Sequence, residues 1–193
     1  MNRIEVLEES VRKLYADIAP SASDWATWLG ANHVFVVALL SKKIAEEQGA
    51  DAELSYAGGL LHDIADTCMQ RKSQGHSEMS ESIATTLLTA SGFTDQEIDI
   101  VVHDAMKFHG CRNNALPRTL EGKVVATADA LAHLETNFYE WAVEKLHTEG
   151  MPVSAVSAWV AEKSHRDFFV KIFFDSYRSR AQKSYERVTK LII

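Results

Sequence analysis

Ala57-Gly58-Gly59-Leu60-Leu61-His62-Asp63-Ile64-Ala65-Asp66 is the stretch that decides how this chain is read. Apolar residues at 54, 57, 60, 61 and 64 recur with helical spacing, and Asp51 is placed to cap their helix. The small residues Ala57, Gly58 and Gly59 cost helix propensity, a cost explained if a second backbone approaches closely there. An imidazole and a carboxylate then stand side by side in the last turns, and such a pair can hold a divalent metal. Adjacent helical residues point about 100° apart, so both reach one ion only if it lies at the helix flank. The plainer reading is a polar pair ending a helix.

Upstream, residues 5–18 have helical spacing that stops at Pro20. Ser23 or Asp24 can cap a short segment carrying Trp25, Trp28 and Leu29, which Gly30 is expected to break. From Ala31 to about Gln48, the stripe Val34, Val37, Leu40 and Ile44 predicts a helix with His33 in its first turn and Gly49 as its stop. Downstream, 67–75 reads as a loop and His76 opens a helix over 77–90. Thr94 and Glu97 have capping-box spacing. The stripe 98, 102, 105, 109 of the helix they start puts His109 on the buried side and His103 on a neighbouring row. Thr119 can cap a helix that includes Asp129 and is expected to continue to Gly150. Met151-Pro152 restarts the chain, and 153–193 holds two helices or one broken one, with a stripe of Phe168, Phe169, Ile172, Phe173 and Tyr177. Strand alternation persists nowhere, so the chain reads as an all-α single-domain bundle.

The length, 193 residues with 46% apolar, suits one domain with a sizeable core. A net charge of −7 without a basic run argues against a nucleic-acid or anionic-membrane surface. Cys68 and Cys111 make no disulfide framework, which points to a reduced, cytoplasmic setting. The acidic, amphipathic N-terminus is unlike a signal peptide, and the apolar stretches fall short of a membrane span.

His33, the His62–Asp63 pair and Asp129 come from three helices and carry donor types that hydrolytic metals take. A lone helix-start histidine is more often a surface residue. Asp129 is more informative, because an ionised carboxylate amid Val124, Val125, Ala126, Ala128, Ala130 and Leu131 is costly unless paired or metal-bound.

These residues also carry a resemblance. The order His33, His62-Asp63, Asp129, with the local stretches Asn32–Ala38, Ala57–Asp66, Gly75–Ala84, Met106–His109 and Lys123–Leu131, resembles the HD-domain superfamily of metal-dependent phosphohydrolases over roughly residues 28–135. Residues 1–27 would be an N-terminal helical segment and 136–193 extra C-terminal helices packed on that core. The resemblance implies that His33, His62, Asp63 and Asp129 hold a divalent metal (Mn, Fe, Co, Ni or Mg). His76 and His109 match the places of a second ion's ligands or of phosphate contacts, with His103 the competitor of His109. Asp63 would be indispensable to turnover, and Asp66, one turn beyond His62, would be a general acid or base. Lys107 and Arg112 are the substrate-phosphate candidates, with Arg71 and Lys72 behind them. His133, His147 and His165 fit no place in the pattern and read as structural or exposed.

The implied activity is hydrolysis of a small soluble phosphate compound, a nucleotide by preference. The HHE and GYP extension of cyclic-dinucleotide phosphodiesterases is missing. The competing readings are a di-iron oxygenase or lyase of HD-like fold, and a nucleotide-binding HD module without turnover. The aromatic stripe of 168–177 reads first as core docking, then as a homodimer interface or lid. Trp25 and Trp28 read as core, or as an aromatic wall beside a base.

Overall fold

A computed structural model describes residues 2–192; Met1 and Ile193, which belong to the first and last expected segments, lie outside them. Ten α-helices run in order among the described residues: α1 (Arg3–Ala16), α2 (Ala26–Asn32), α3 (Val34–Gln48), α4 (Ala52–Leu61), α5 (His76–Ala90), α6 (Asp95–Ile98), α7 (Leu120–Glu135), α8 (Phe138–Thr148), α9 (Val153–His165) and α10 (Asp175–Thr189). Short 3₁₀ turns occupy Ile64–Thr67 and Arg112–Asn114, and π-helical stretches occupy Asp99–Met106 and Arg166–Lys171. No strand occurs among the described residues, so the architecture is all-α, and none of their helices is long and apolar enough to cross a membrane.

The starts obey local chemistry. Asp51 accepts from the amides of Glu53 and Leu54, Thr94 and Glu97 form the capping box, and the Thr119 hydroxyl accepts from Gly122 N. The breaks depend on packing instead. Gly30 does not end its helix; it lies inside α2, where an added Cβ would sit 2.5 Å from the Tyr15 ring. The break falls at His33, whose φ of −127° and ψ of −58° leave the helical region. Similarly, α4 stops at Leu61, and Asp63 has φ −121°, so the His–Asp pair sits on the exit from the helix rather than in its last turn. The helix after Thr119 ends at Glu135 instead of Gly150, and α8 starts two residues beyond Thr136.

Helix α7 is the central rod. Gly122 and Val124 through Leu134 are all buried, as expected of a helix packed on every side. Helices α3 and α4 cross it and each other closely. A Cβ on Gly59 would lie 2.7 Å from Ala38 Cα, and one on Gly58 would lie 3.0 Å from Val125 Cγ2. Gly59 therefore permits a backbone-to-backbone approach of α4 to α3 that brings His62 to His33, while Gly58 makes room for the Val125 side chain. On the other side, Val156, Val160, Phe168, Ile172 and Tyr177 bury against Leu131, Leu134 and Phe138 of the rod and its continuation. Each such aliphatic or aromatic side chain contributes about 1.5–3 kcal/mol when fully buried. The aromatic stripe thus docks largely on the core, while Phe169 stays 50% exposed. Trp28 stacks on Trp141 at 4.3 Å and belongs to this packing.

Candidate metal centre

Three side chains converge where the α2–α3 break, the end of α4 and the middle of α7 meet. His33 Nε2 lies 3.0 Å from Asp129 Oδ1 and 3.3 Å from His62 Nε2; His62 Nε2 lies 3.7 Å from the same oxygen. All three residues are at most 4% exposed. The His62 Nδ1–H donates to Gly59 O at 2.8 Å, since a carbonyl can only accept. That fixes the tautomer and leaves the Nε2 lone pair facing the centre. Asp129 Oδ1 is fully buried and makes no hydrogen bond of acceptable geometry despite its imidazole neighbours. Donor atoms about 2.0–2.1 Å from an ion stand roughly 3.0–3.4 Å apart, and the two shortest separations fall in that range. Two imidazole nitrogens and a carboxylate oxygen without a hydrogen bond therefore fit a divalent metal.

The remaining sequence candidates spread around this triad. Asp63 Oδ2 stands 3.5 Å from His62 Nε2 and is gripped by the Arg71 guanidinium. Burial would raise the Asp63 carboxyl, but Arg71 and His62 outweigh it and hold it well below the usual range. His109 meets His62 edge-on with centroids 5.1 Å apart; its Nδ1–H donates to Met106 O at 2.5 Å, leaving Nε2 unbonded. Burial, reinforced by His62, pushes it down to about 4, so it is neutral at pH 7. His103 is exposed, 3.7 Å from Glu81.

Other candidates are not brought to the triad. His76 Nε2 is engaged by Asp66 Oδ1 at 3.0 Å. Asp66 is fully buried and also accepts from Arg71 Nε at 2.7 Å. It lines neither cavity beside the site and holds both His76 and Arg71. Lys107 is half exposed and pairs with Glu81 at 3.3 Å. Arg112, by contrast, has no ion-pair partner among the described residues and lines both cavities, and so does Lys72.

The largest departure from the sequence reading is His133, expected to be structural or exposed. It is 6% exposed and sits against the site, Nε2 3.4 Å from Asp129 Oδ1, with its ring stacked on His33 at 4.7 Å. Behind it lies a ladder from the C-terminal helices. Lys163, Asp167 and Lys171 stand four residues apart on one face, and all three reach α7. Lys163 Nζ lies 3.1 Å from His133 Nδ1 and 3.1 Å from Asp167 Oδ2, and Tyr139 donates to the same Asp167 oxygen at 2.7 Å. The Lys171 ammonium is salt-bridged to Asp129 Oδ2 and lies 3.4 Å from Asp167 Oδ1. Burial alone would discharge Lys171, but Asp129 and Asp167 raise it, so it remains an ammonium. Burial would likewise raise Asp129, yet His133 and Lys171 hold it well below the carboxylate range. The available sequence signal was the i, i+4 spacing of Asp129 and His133, which puts them on one helix face.

The family model of the HD domain matches residues 30–134. The chain belongs to the HD-domain superfamily of metal-dependent phosphohydrolases. Among its relatives are the ribonuclease Y of Pseudothermotoga lettingae, 33% identical over 101 residues, and that of Bacillus subtilis, 31% identical over 100 residues. A tRNA (cytidine(56)-2'-O)-methyltransferase of Thermoplasma volcanium is 32% identical over 109 residues. Each alignment covers 52% of this HD protein but only 18%, 17% and 30% of the respective relative. No solved structure matches. The Lys163–Asp167–Lys171 ladder lies outside the stretch the HD model covers.

Proposed function

We propose that this HD protein is a metal-dependent phosphohydrolase of a small phosphorylated compound, a nucleotide by preference, working in a cytoplasmic setting. The observation that carries this reading is the buried, unpartnered Asp129 Oδ1 facing His33 Nε2 and His62 Nε2 at ligand spacing. These three residues would hold the ion, with Asp63 beside them. When bound, the metal would polarise a phosphoryl oxygen and lower the pKa of a water.

The chain's own residues supply the rest. Lys171 occupies Asp129 Oδ2 and leaves Oδ1 turned to the imidazoles. Arg71, which lines both cavities, joins Asp63 at the wall to the buried Asp66 behind it. His109, neutral and with Nε2 free, faces both cavities, where it would take a second ion or a phosphate oxygen. His76, backed by Asp66, keeps Nδ1 free of hydrogen bonds and takes the proton-transfer place that Asp66 cannot fill from its buried position. Arg112 supplies an uncommitted cation for the substrate phosphate.

The test is metal analysis of the purified protein, then a phosphatase panel with Mn²⁺, Co²⁺, Ni²⁺, Fe²⁺ and Mg²⁺. Phosphomonoesterase activity that chelation abolishes and metal restores is expected. Bound metal without turnover of any nucleotide or other phosphate ester would sink the proposal.

A further inference from the structure

Two cavities open beside the triad, and of these the one of about 430 Å³ reaches Asp129 itself. Its walls divide by chemistry. Lys163 lies next to the site, its side chain only 13% exposed. Its Nζ lies 3.1 Å from His133 Nδ1, 3.1 Å from Asp167 Oδ2 and 3.5 Å from Asp167 Oδ1, and the side chain lines this cavity. Trp25 and Trp159 line the same cavity, with ring centroids 6.2 Å apart and planes inclined at 67°. Phe138 joins the two regions, 5.1 Å below Lys163 Nζ and 6.2 Å from Trp25. A cation beside the metal ligands and an aromatic corner beyond it match an anionic group joined to a planar one. The other cavity, about 530 Å³, is lined by serines, Glu78 and Glu81 as well as His76 and His109, and has Phe108 but no tryptophan.

We propose that the Asp129-facing cavity seats the substrate, with Lys163 binding its phosphoryl group and Trp25 and Trp159 packing on a planar ring. The preferred substrates are then nucleoside or other aromatic monophosphates rather than sugar or polyol phosphates. This rests on the phosphohydrolase reading for its chemistry, but binding is measurable without turnover.

The experiment titrates the full-length, metal-loaded protein with inorganic phosphate, adenosine 5′-monophosphate and glycerol 3-phosphate, by calorimetry and tryptophan fluorescence. The nucleotide should bind more tightly than glycerol 3-phosphate and quench the fluorescence. Lys163→Met should weaken all three ligands by roughly tenfold or more while metal content stays at the wild-type level. Trp159→Leu should weaken the nucleotide alone. If Lys163→Met does not fold, Lys163→Gln, which keeps a donor for Asp167, decides the point. Unchanged phosphate affinity in the folded Lys163 variant overturns the proposal, as does a nucleotide affinity indifferent to Trp159→Leu. Binding that behaves as expected in a protein without turnover would sink the hydrolase reading and leave this one standing.

Discussion

The Lys171 ammonium is salt-bridged to Oδ2 of Asp129 across 42 residues of chain, and both side chains are 3% exposed. The bond is braced at the backbone, because the Thr127 hydroxyl donates to Lys171 O at 3.2 Å and accepts from Phe173 N at 3.1 Å. The C-terminal helices are thereby attached to α7 two residues before Asp129.

Replacing Lys171 with Met would strand the buried Asp129 Oδ2 and take one of two ammonium partners from Asp167, which keeps Lys163. Removing one partner of a buried ion pair costs about 3–5 kcal/mol, and urea unfolding of the metal-free protein should show a loss of that order. A loss within about 0.5 kcal/mol, the usual range of a surface change, would contradict the role given to this pair.

The second prediction concerns Gly59. A Cβ there would lie 2.7 Å from Ala38 Cα, a backbone atom that no rotamer change can move. Gly59→Ala should push α4 away from α3 at a cost of about 1–3 kcal/mol. Because Gly59 O also orients His62, metal affinity should fall with stability. Calorimetric titration with Mn²⁺ would show it; wild-type affinity in a destabilised variant would separate the fold effect from the site.

Asp63→Ala should lose metal binding and phosphatase activity together, since its carboxylate adjoins His62 Nε2 at 3.5 Å and anchors Arg71. Elemental analysis alongside activity is the check. An active variant with full metal occupancy would remove Asp63 from the mechanism.

The pH dependence of the metal-free protein has a definite sign. Burial holds His109 down at about 4 and His133 at about 3, both below the ordinary histidine value. Between that value and the depressed ones the unfolded chain binds protons that the folded chain refuses. Stability is therefore full above about pH 6.5 and falls as pH drops toward 4, by up to about 1.4 kcal/mol per unit and per group. The carboxylates held low, Asp63, Asp129 and Asp167, add losses only at more acid pH. A thermal-melt series should be level from pH 7.5 to about 6.5 and slope downward from there to pH 4.5; a series flat down to pH 4.5 would contradict neutral buried imidazoles. His133→Phe should reduce the slope.

Much of this was legible in the amino-acid order because it depends on neighbours within one or two turns. The caps at Asp51, Thr94 and Thr119 act over two or three residues, and the apolar spacing of α4 and α7 reports a buried face over the same range. The stripe that favoured His109 over His103 predicted which imidazole faces inward, even though the backbone there is π-helical. The position of the break at His33 was not legible, because Gly30 is the weaker helix former. What keeps Gly30 helical is the Tyr15 ring packed against it from α1.

The sequence by itself determined the all-α class, the capped helix starts at Asp51, Thr94 and Thr119, and His33, His62 and Asp129 as candidate donors, because capping, periodicity and donor chemistry are local properties. Only the tertiary structure decided that Asp66 is buried between His76 and Arg71, and that His133 stands against Asp129. It also decided that Lys163 and Lys171, from a segment with no motif, enclose the site. The physical reason is that burial and charge pairing are properties of space. An ammonium 42 residues away in the chain becomes the nearest counter-charge only after α7 and the C-terminal helices have packed.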